Sequence, residues 1–281
     1  MIEITDEFIS FAHRVKLFKC KSCCSVNLKI LSEYDLLKFY QEEYYSGDTG
    51  TYFRNSNLKF IRSNRKLLDF LRNHPKDKMN CIIDLGCGPG ELASIFRWKR
   101  FDTTVLNVDI LNKTGSDENF LFHDLNRDNY SDEIKLYESK VDIITAIDIF
   151  EHIERPERLF EFSNKFLRKK GLLLLKFPDI ESLLHKLNLF LLRNSLGGTK
   201  KILGVAHLFY PSGKAFKALC KKHSYAVIDE YNSATYHGIF DESQGHLFKN
   251  SLVKKMYMLF YIMCNFLSIG NKKTIILRKE E

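Results

Sequence analysis

The segment Cys81-Ile82-Ile83-Asp84-Leu85-Gly86-Cys87-Gly88-Pro89-Gly90-Glu91-Leu92 constrains this chain more than any other. An apolar run of strand length breaks into three glycines at alternate positions and resumes with helical spacing. Glycine at 86 and 88 lets the backbone turn sharply and approach a ligand that a Cβ would block. The helix after Gly90 would turn its free N–H groups toward the same place. A glycine triplet alone is common in turns, so the flanks decide. Downstream, apolar runs at 103–109, 119–122, 141–147 and 171–177 follow the one at 81–85, with helical patterns at 90–98, 128–137 and 156–169 between them. This alternation predicts an α/β fold with a mostly parallel sheet and helices on both faces.

The helix at 156–169 is the best signalled. Pro156 stands where a first-turn proline is tolerated, and Leu159, Phe160, Ser163, Phe166 and Leu167 trace one face. Arg168, Lys169 and Lys170 suit the carboxyl end of its dipole, and Gly171 is expected to stop it. Upstream, Leu58, Ile61, Leu68 and Leu71 predict a helix over 58–74, and residues 273–279 read as a last strand. Residues 1–57 form a Cys/Tyr-rich segment ahead of a main domain at 58–281.

Two amphipathic stretches lie outside the alternating core. In the first, within a lid-like region at 180–210, Ile180, Leu183, Leu184, Leu187, Phe190 and Leu191 share a face opposite Glu181, His185, Lys186 and Asn188. The second, Met256 to Leu267 in an apolar insertion at 250–269, is flanked by Lys254, Lys255, Lys272 and Lys273. It is too short to span a bilayer as a helix but long enough to lie in the interface with lysines toward lipid phosphates, or to cover the sheet.

Composition narrows the function classes. Of 281 residues, 44% are hydrophobic and 28% charged, with 23 Phe and 13 Tyr, which excludes disorder as the main state. A net charge of +8 favours an anionic partner, but the basic residues are spread rather than striped with aromatics, which argues against nucleic acid. The odd count of 7 cysteines argues against a disulfide framework. Cys20-Lys21-Ser22-Cys23 has zinc-knuckle spacing without a second pair nearby, and reads as reduced structural thiols. The acidic start MIEITDEF lacks the layout of a signal peptide, so a cytoplasmic location is expected, with the inner membrane face as a peripheral contact.

Acids stand at three successive strand ends, the edge where open sheets bind ligands. Asp84 precedes the glycine turn and suits an ammonium group. Asp109 follows the next strand and suits a pair of ribose hydroxyls. Asp124, with the Leu125 N–H, suits an adenine edge. In order along the chain, DLGCGPGELA, VDI, FHDLN, DIITAIDIFEHIERPERLF and GLLLLKFPD resemble a class I S-adenosylmethionine-dependent methyltransferase over about residues 80 to 180. A nicotinamide-dinucleotide domain carries Gly-x-Gly-x-x-Gly instead. The resemblance implies a seven-stranded Rossmann-like sheet whose last strand is antiparallel beside the fifth. It implies S-adenosylmethionine held by Asp84, Gly86, Cys87, Gly88, Gly90, Asp109, Ile110, Asp124, Leu125 and Ile147, with Ala146, Ile147 and Asp148 at the methyl-transfer face.

Methyl transfer needs an aligned acceptor and, for a hydroxyl, a base or a metal. Asp148-Ile149-Phe150-Glu151-His152 resembles the acidic-x-x-Glu-His segment of quinone-biosynthesis O-methyltransferases, where such residues are implicated in metal binding. Here the shorter Asp148 argues against a divalent ion. His152 is the leading base, with Glu151 beside it, and His207 and Tyr210 are secondary candidates in the lid; His237 and His246 belong to a polar loop. The Cys20–Tyr45 segment and the His-x-x-Tyr stretch resemble methyltransferases that modify sugars or surface polysaccharides. The acceptor expected is therefore a small or lipid-linked molecule, a sugar hydroxyl first and a quinone-like aromatic hydroxyl second. A non-catalytic donor-binding subunit and an RNA methyltransferase are the remaining alternatives.

Overall fold

The computed structural model describes residues 1–3, 8–10, 13–30, 60–61, 63–73, 79–98, 103–110, 119–127, 129–183, 185–186, 207–233 and 269–280, with 259, 263 and 267. The chain opens with β1 (Ile2–Glu3), β2 (Phe8–Ser10), β3 (His13–Lys19) and β4 (Val26–Ile30), followed by α1 (Arg65–Asn73). Then come β5 (Cys81–Leu85), α2 (Glu91–Trp98), β6 (Thr104–Asp109), β7 (Phe120–Phe122) and a short α3 (Asp132–Lys135). After β8 (Val141–Ile147) a 3-10 turn over Phe150–His152 leads to α4 (Glu157–Phe166) and β9 (Leu167–Pro178). Last come β10 (Phe209–Tyr210), α5 (Gly213–Lys222), β11 (Tyr225–Ser233) and β12 (Lys272–Lys279).

Strand side chains alternate between faces, and both faces of this sheet are apolar, as a parallel sheet under two helical layers requires. Ile83, Leu85, Leu173, Leu175, Phe177, Ile275 and Leu277 join the core that contains Phe160, Phe162 and Phe166 of α4. Their neighbours Ile82, Leu172, Leu174 and Ile276 join the opposite core with Leu67 and Leu71 of α1 and Leu92 and Phe96 of α2. Phe150, Phe160, Phe162 and Phe166 are fully buried, each contributing roughly 1.5–3 kcal/mol. The seven strands run in the order β11-β12-β9-β8-β5-β6-β7. As expected, β12 pairs antiparallel with β9; it also pairs antiparallel with β11. The expected strands at 81–85 and 141–147 match β5 and β8 to the residue.

Two helix boundaries differ from expectation. The helix placed at 128–137 covers only Asp132–Lys135, capped by Ser131. The one placed at 156–169 ends at Phe166, because Leu167 is already extended and pairs with Val141. Arg168 does not serve a helix end; it pairs with the buried Asp142 carboxylate. Gly171 lies beyond the helix, where a Cβ would come within 2.9 Å of the Arg168 carbonyl.

The N-terminal strands form a separate sheet in the order β1-β3-β4-β10, with β2 on β3, so its last strand comes from the stretch after β9. The cysteine pair lies in the turn joining β3 and β4, where Cys24 adopts φ 64°. Ser212, the N-cap of α5, donates to the Cys23 carbonyl and fastens that turn to the main domain.

The amphipathic stretches need correction. His185, assigned to the polar face, is 1% exposed and holds the Asp179 carbonyl at 2.7 Å, whereas Leu183 is 76% exposed. Leu184, Leu187, Phe190 and Leu191 lie outside the described residues, as do Lys254, Lys255, His237 and His246. Of Met256 to Leu267 only Leu259, Met263 and Leu267 are described, all exposed. Lys272 is buried and ion-paired, so it cannot reach lipid phosphates. Among the described residues no helix is long and apolar enough to cross a membrane.

Candidate active site

The glycine turn has the geometry its composition demands. Gly86, Gly88 and Gly90 adopt φ of 63°, 54° and 79°, the left-handed region that side chains disfavour. A Cβ on Gly88 would meet only a Glu91 carboxylate oxygen at 3.9 Å, so the space above it is open to a ligand. Asp109, at the end of β6, accepts the Gly88 N–H at 2.9 Å and lies 3.9 Å from the buried Cys87 sulfur. Beneath Gly90, the buried Asn107 Oδ1 has no hydrogen-bond partner among the described residues. Open space above a glycine, an acid at its rim and an orphaned amide oxygen fit a polar ligand such as the donor. Sequence inspection passed over Asn107, which reads there as an interruption of an apolar strand.

The other predicted contacts surround this turn. Ile110 is half-buried just past β6, and Ile147 is half-buried at the end of β8, opposite Lys176 of β9. Asp124 accepts the Asn126 N–H at 2.9 Å and lies 3.3 Å from Arg127 Nε, so its carboxylate already holds its own turn; Leu125 packs on the core.

Asp84 is buried, and its Oδ1 accepts the Thr145 hydroxyl at 2.6 Å. Burial pushes its carboxyl up to about 7; the Thr145 bond opposes the shift and the Glu91 and Asp109 charges add to it. Unfolded, an aspartate titrates near ~3.9. The folded state keeps a proton that the unfolded state releases, so the stabilisation is full below ~3.9 and is lost as pH rises through the folded value. Asp84→Asn keeps the Thr145 contact and is expected to raise the melting temperature at pH 8 by roughly 5 °C. Wild-type and variant melting curves that stay parallel from pH 5 to 8 would refute this.

The second half of the site follows β8. Asp148 takes φ 57°, and the 3-10 turn after it sets Glu151 and His152 side by side. Glu151 is fully buried; its Oε1 lies 3.6 Å from His207 Nε2 and 3.3 Å from Lys272 Nζ, and its Oε2 has no hydrogen-bond partner among the described residues. Burial pushes its carboxyl up to about 7, against the pull of Lys272 and with the push of Asp148. His207 Nδ1 is 3.1 Å from the Tyr210 hydroxyl. Burial, then the His152, Lys272 and His185 charges, holds His207 well below its usual range, so it is neutral. Burial raises the Tyr210 phenol well above its own, so it keeps its proton, and the Tyr210 hydroxyl and Glu151 Oε1 stand at the two ring nitrogens of His207. His152, half-buried, sets its ring 4.8 Å from that of His207. The structure thus brings Glu151, His152, His207 and Tyr210 together.

Sequence reasoning passed over one lysine, Lys176, and assigned another, Lys272, to a lipid surface. Lys176 of β9 is 1% exposed and donates to the Ser63 carbonyl and to Asn64 Oδ1, at 2.8 and 2.9 Å. Burial drops it to about 8. Lys272 opens β12 and sits 2.7 Å from Asp148 Oδ1. Burial works against its charge, but Asp148 and Glu151 outweigh burial and raise its pKa. A lysine inside an apolar strand, as at 176, is the one sequence signal that pointed here.

The cation set implied by resemblance, Asp148, Glu151 and His152, does not fit a divalent ion, because the Lys272 ammonium already lies between the two carboxylates. Cys20 and Cys23 acquire no third metal ligand among the described residues.

A glycine turn with an acidic rim, carried on a sheet whose seventh strand reverses between the fifth and sixth, defines a class I methyltransferase fold. Residues 55–230 match the family described as methyltransferase domain, and the chain belongs to that family. It is an S-adenosylmethionine-dependent methyltransferase. Its fold is similar to a SAM-dependent methyltransferase of Archaeoglobus fulgidus (TM-score 0.52, 15% identity, 85% of this chain and 100% of that one). It is also similar to phosphoethanolamine N-methyltransferase 2 of Haemonchus contortus, solved with S-adenosyl-L-methionine (0.53, 12%, 98% and 71%). A third similar structure is the 1,6-didemethyltoxoflavin-N1-methyltransferase of Burkholderia thailandensis (0.52, 10%, 98% and 98%). No curated protein matches.

Proposed function

We propose that the chain methylates a hydroxyl of a small or lipid-linked polar acceptor, a sugar hydroxyl in glycan or surface-polysaccharide metabolism. The observation that carries this reading is the polar wall after β8: Asp148, Glu151, His152, His207, Tyr210 and Lys272, where an aromatic acceptor would call for Phe and Leu. Nearby Phe150 and Phe177 are buried in the core and do not form such a wall. A lipid-linked form suits Leu259, Met263 and Leu267, three exposed apolar residues four apart.

The bound donor supplies a methyl group already activated on a sulfonium. Asp84, Asp109 and the Gly86–Gly90 turn hold it, and Asp124 and Leu125 close its far end. His152 takes the proton of the acceptor hydroxyl as the oxygen bonds to the methyl carbon and the carbon–sulfur bond breaks. His207, with one ring nitrogen toward Tyr210 and the other toward Glu151, orients the pair and keeps water out.

The test is incubation with methyl-labelled donor and whole-cell extract, then separation into lipid, small aqueous, polymer and RNA fractions. Label is expected on polyols of the small aqueous or polymer fraction, or on a lipid that mild acid splits to a labelled sugar. Label on an acid-stable lipid, on an amine or on RNA would overturn the reading.

A further inference from the structure

Lys272 comes from the last strand of the sheet, yet its ammonium reaches the catalytic turn, 2.7 Å from Asp148 and 3.3 Å from Glu151. Around it stand the groups a metal would use. Ligand atoms of Glu151, His152 and His207 all lie within 4.8 Å of one another, and one buried Glu151 oxygen has no partner among the described residues. A divalent ion entering this cluster would meet the like charge of the ammonium on the same Glu151 oxygen that faces His207. The place is therefore filled, by a cation that the chain itself provides.

We propose that Lys272 is the resident cation of the acceptor site, balancing Asp148 and Glu151 and offering a hydrogen bond to the acceptor oxygen. An ammonium has three donors, and two are engaged by the carboxylates. Among the described residues those two carboxylates are its hydrogen-bond partners, which leaves the third donor for a ligand that enters the site. The consequence is a substrate rule. A metal chelates two neighbouring oxygens, whereas one remaining N–H holds one, so the site takes a single hydroxyl rather than a catechol-like pair. The hydrogen bond to the acceptor oxygen and this substrate rule rest on the reading of the acceptor given above; the place of Lys272 as resident cation does not.

The first test uses the full chain and Mn²⁺, a hard ion for which the Cys20 and Cys23 thiols compete poorly. By calorimetry the wild type is expected to show no single tight Mn²⁺ site. Lys272→Ala is expected to bind one Mn²⁺ at least thirtyfold more tightly than the wild type, and Lys272→Ala with Glu151→Gln is expected to lose that site. One Mn²⁺ bound to the wild type and lost in Glu151→Gln would overturn the proposal, and that titration needs no lysine variant to fold. So would a folded Lys272→Ala that binds none. With extract and labelled donor, wild-type transfer is expected to survive a chelator, and Lys272→Met to lose at least tenfold while Lys272→Arg recovers part. Equal transfer by all three would also overturn it. The Mn²⁺ result stands whatever acceptor the extract reveals.

Discussion

Gly86→Ala is expected to abolish measurable donor binding and to lower the unfolding free energy by about 2–4 kcal/mol. Two separate costs add. At φ 63° a side chain meets its own backbone, which costs about 1–2 kcal/mol. The new Cβ would also lie 1.9 Å from Cδ1 and 2.3 Å from Cγ1 of Ile149, a β-branched side chain with little rotamer freedom that packs on the core. Ile149 therefore has to move, and it belongs to the segment that carries Glu151 and His152. Gly88→Ala provides the contrast. Its Cβ meets only Glu91 at 3.9 Å, so stability should fall by the backbone cost alone while donor affinity still drops. Melting curves and calorimetry with S-adenosylhomocysteine separate the two. A Gly86→Ala protein with wild-type melting and affinity would show that the turn relaxes freely. Adding Ile149→Ala should restore stability in part but not affinity.

His152→Ala is expected to leave donor affinity intact and to slow transfer roughly a hundredfold. The imidazole stands 4.8 Å from the ring of His207, beside Glu151. Loss of a base removes a proton-transfer path without removing the donor pocket. The label-transfer assay, run with the fraction that carries the acceptor, reads the rate, and calorimetry reads the affinity. Near-normal transfer by His152→Ala would leave His152 as a wall of the pocket and make Glu151, whose carboxyl burial pushes up to about 7, the next candidate base.

The glycine turn was legible because it is built from consecutive residues. A buried strand, three glycines and a helix occupy one short stretch, and Asp84, Asp109 and Asp124 stand at or just past the carboxyl ends of three successive strands. Glu151 and His152 were legible for the same reason. Lys272 was not, since a lysine that opens a strand looks the same whether it faces water or a carboxylate. Only the insertion of β12 between β9 and β11 brings it to Asp148. His185 misled for a related reason. Helical spacing put it on the wet face, but Ser182 caps its N–H and the Asp179 carbonyl takes its ring, so the first turn is fixed by those bonds rather than by the apolar stripe. The basic run at 168–170 mimicked a helix end because cations suit that position, while the nearby Asp142, unreadable as a partner from sequence, claims Arg168 for the sheet.

One backbone link ties the N-terminal sheet to the segment that carries His207 and Tyr210. Leu208 accepts the Leu28 N–H through its carbonyl at 3.0 Å and donates its own N–H to the Glu151 carbonyl at 2.8 Å. Next to it, Tyr210 pairs with Val26 and Phe209 with Asn27. The hairpin thus works as a gauge, setting where His207 and Tyr210 stand against the catalytic turn. Neighbouring strand residues point to opposite faces, so a slip of one position would present the bare ring of Phe209 where the phenol of Tyr210 now stands. Lengthening or shortening the Cys20–Ser25 turn would then shift His207 and Tyr210 against Glu151 while the Gly86–Gly90 turn, carried on the other sheet, kept its geometry.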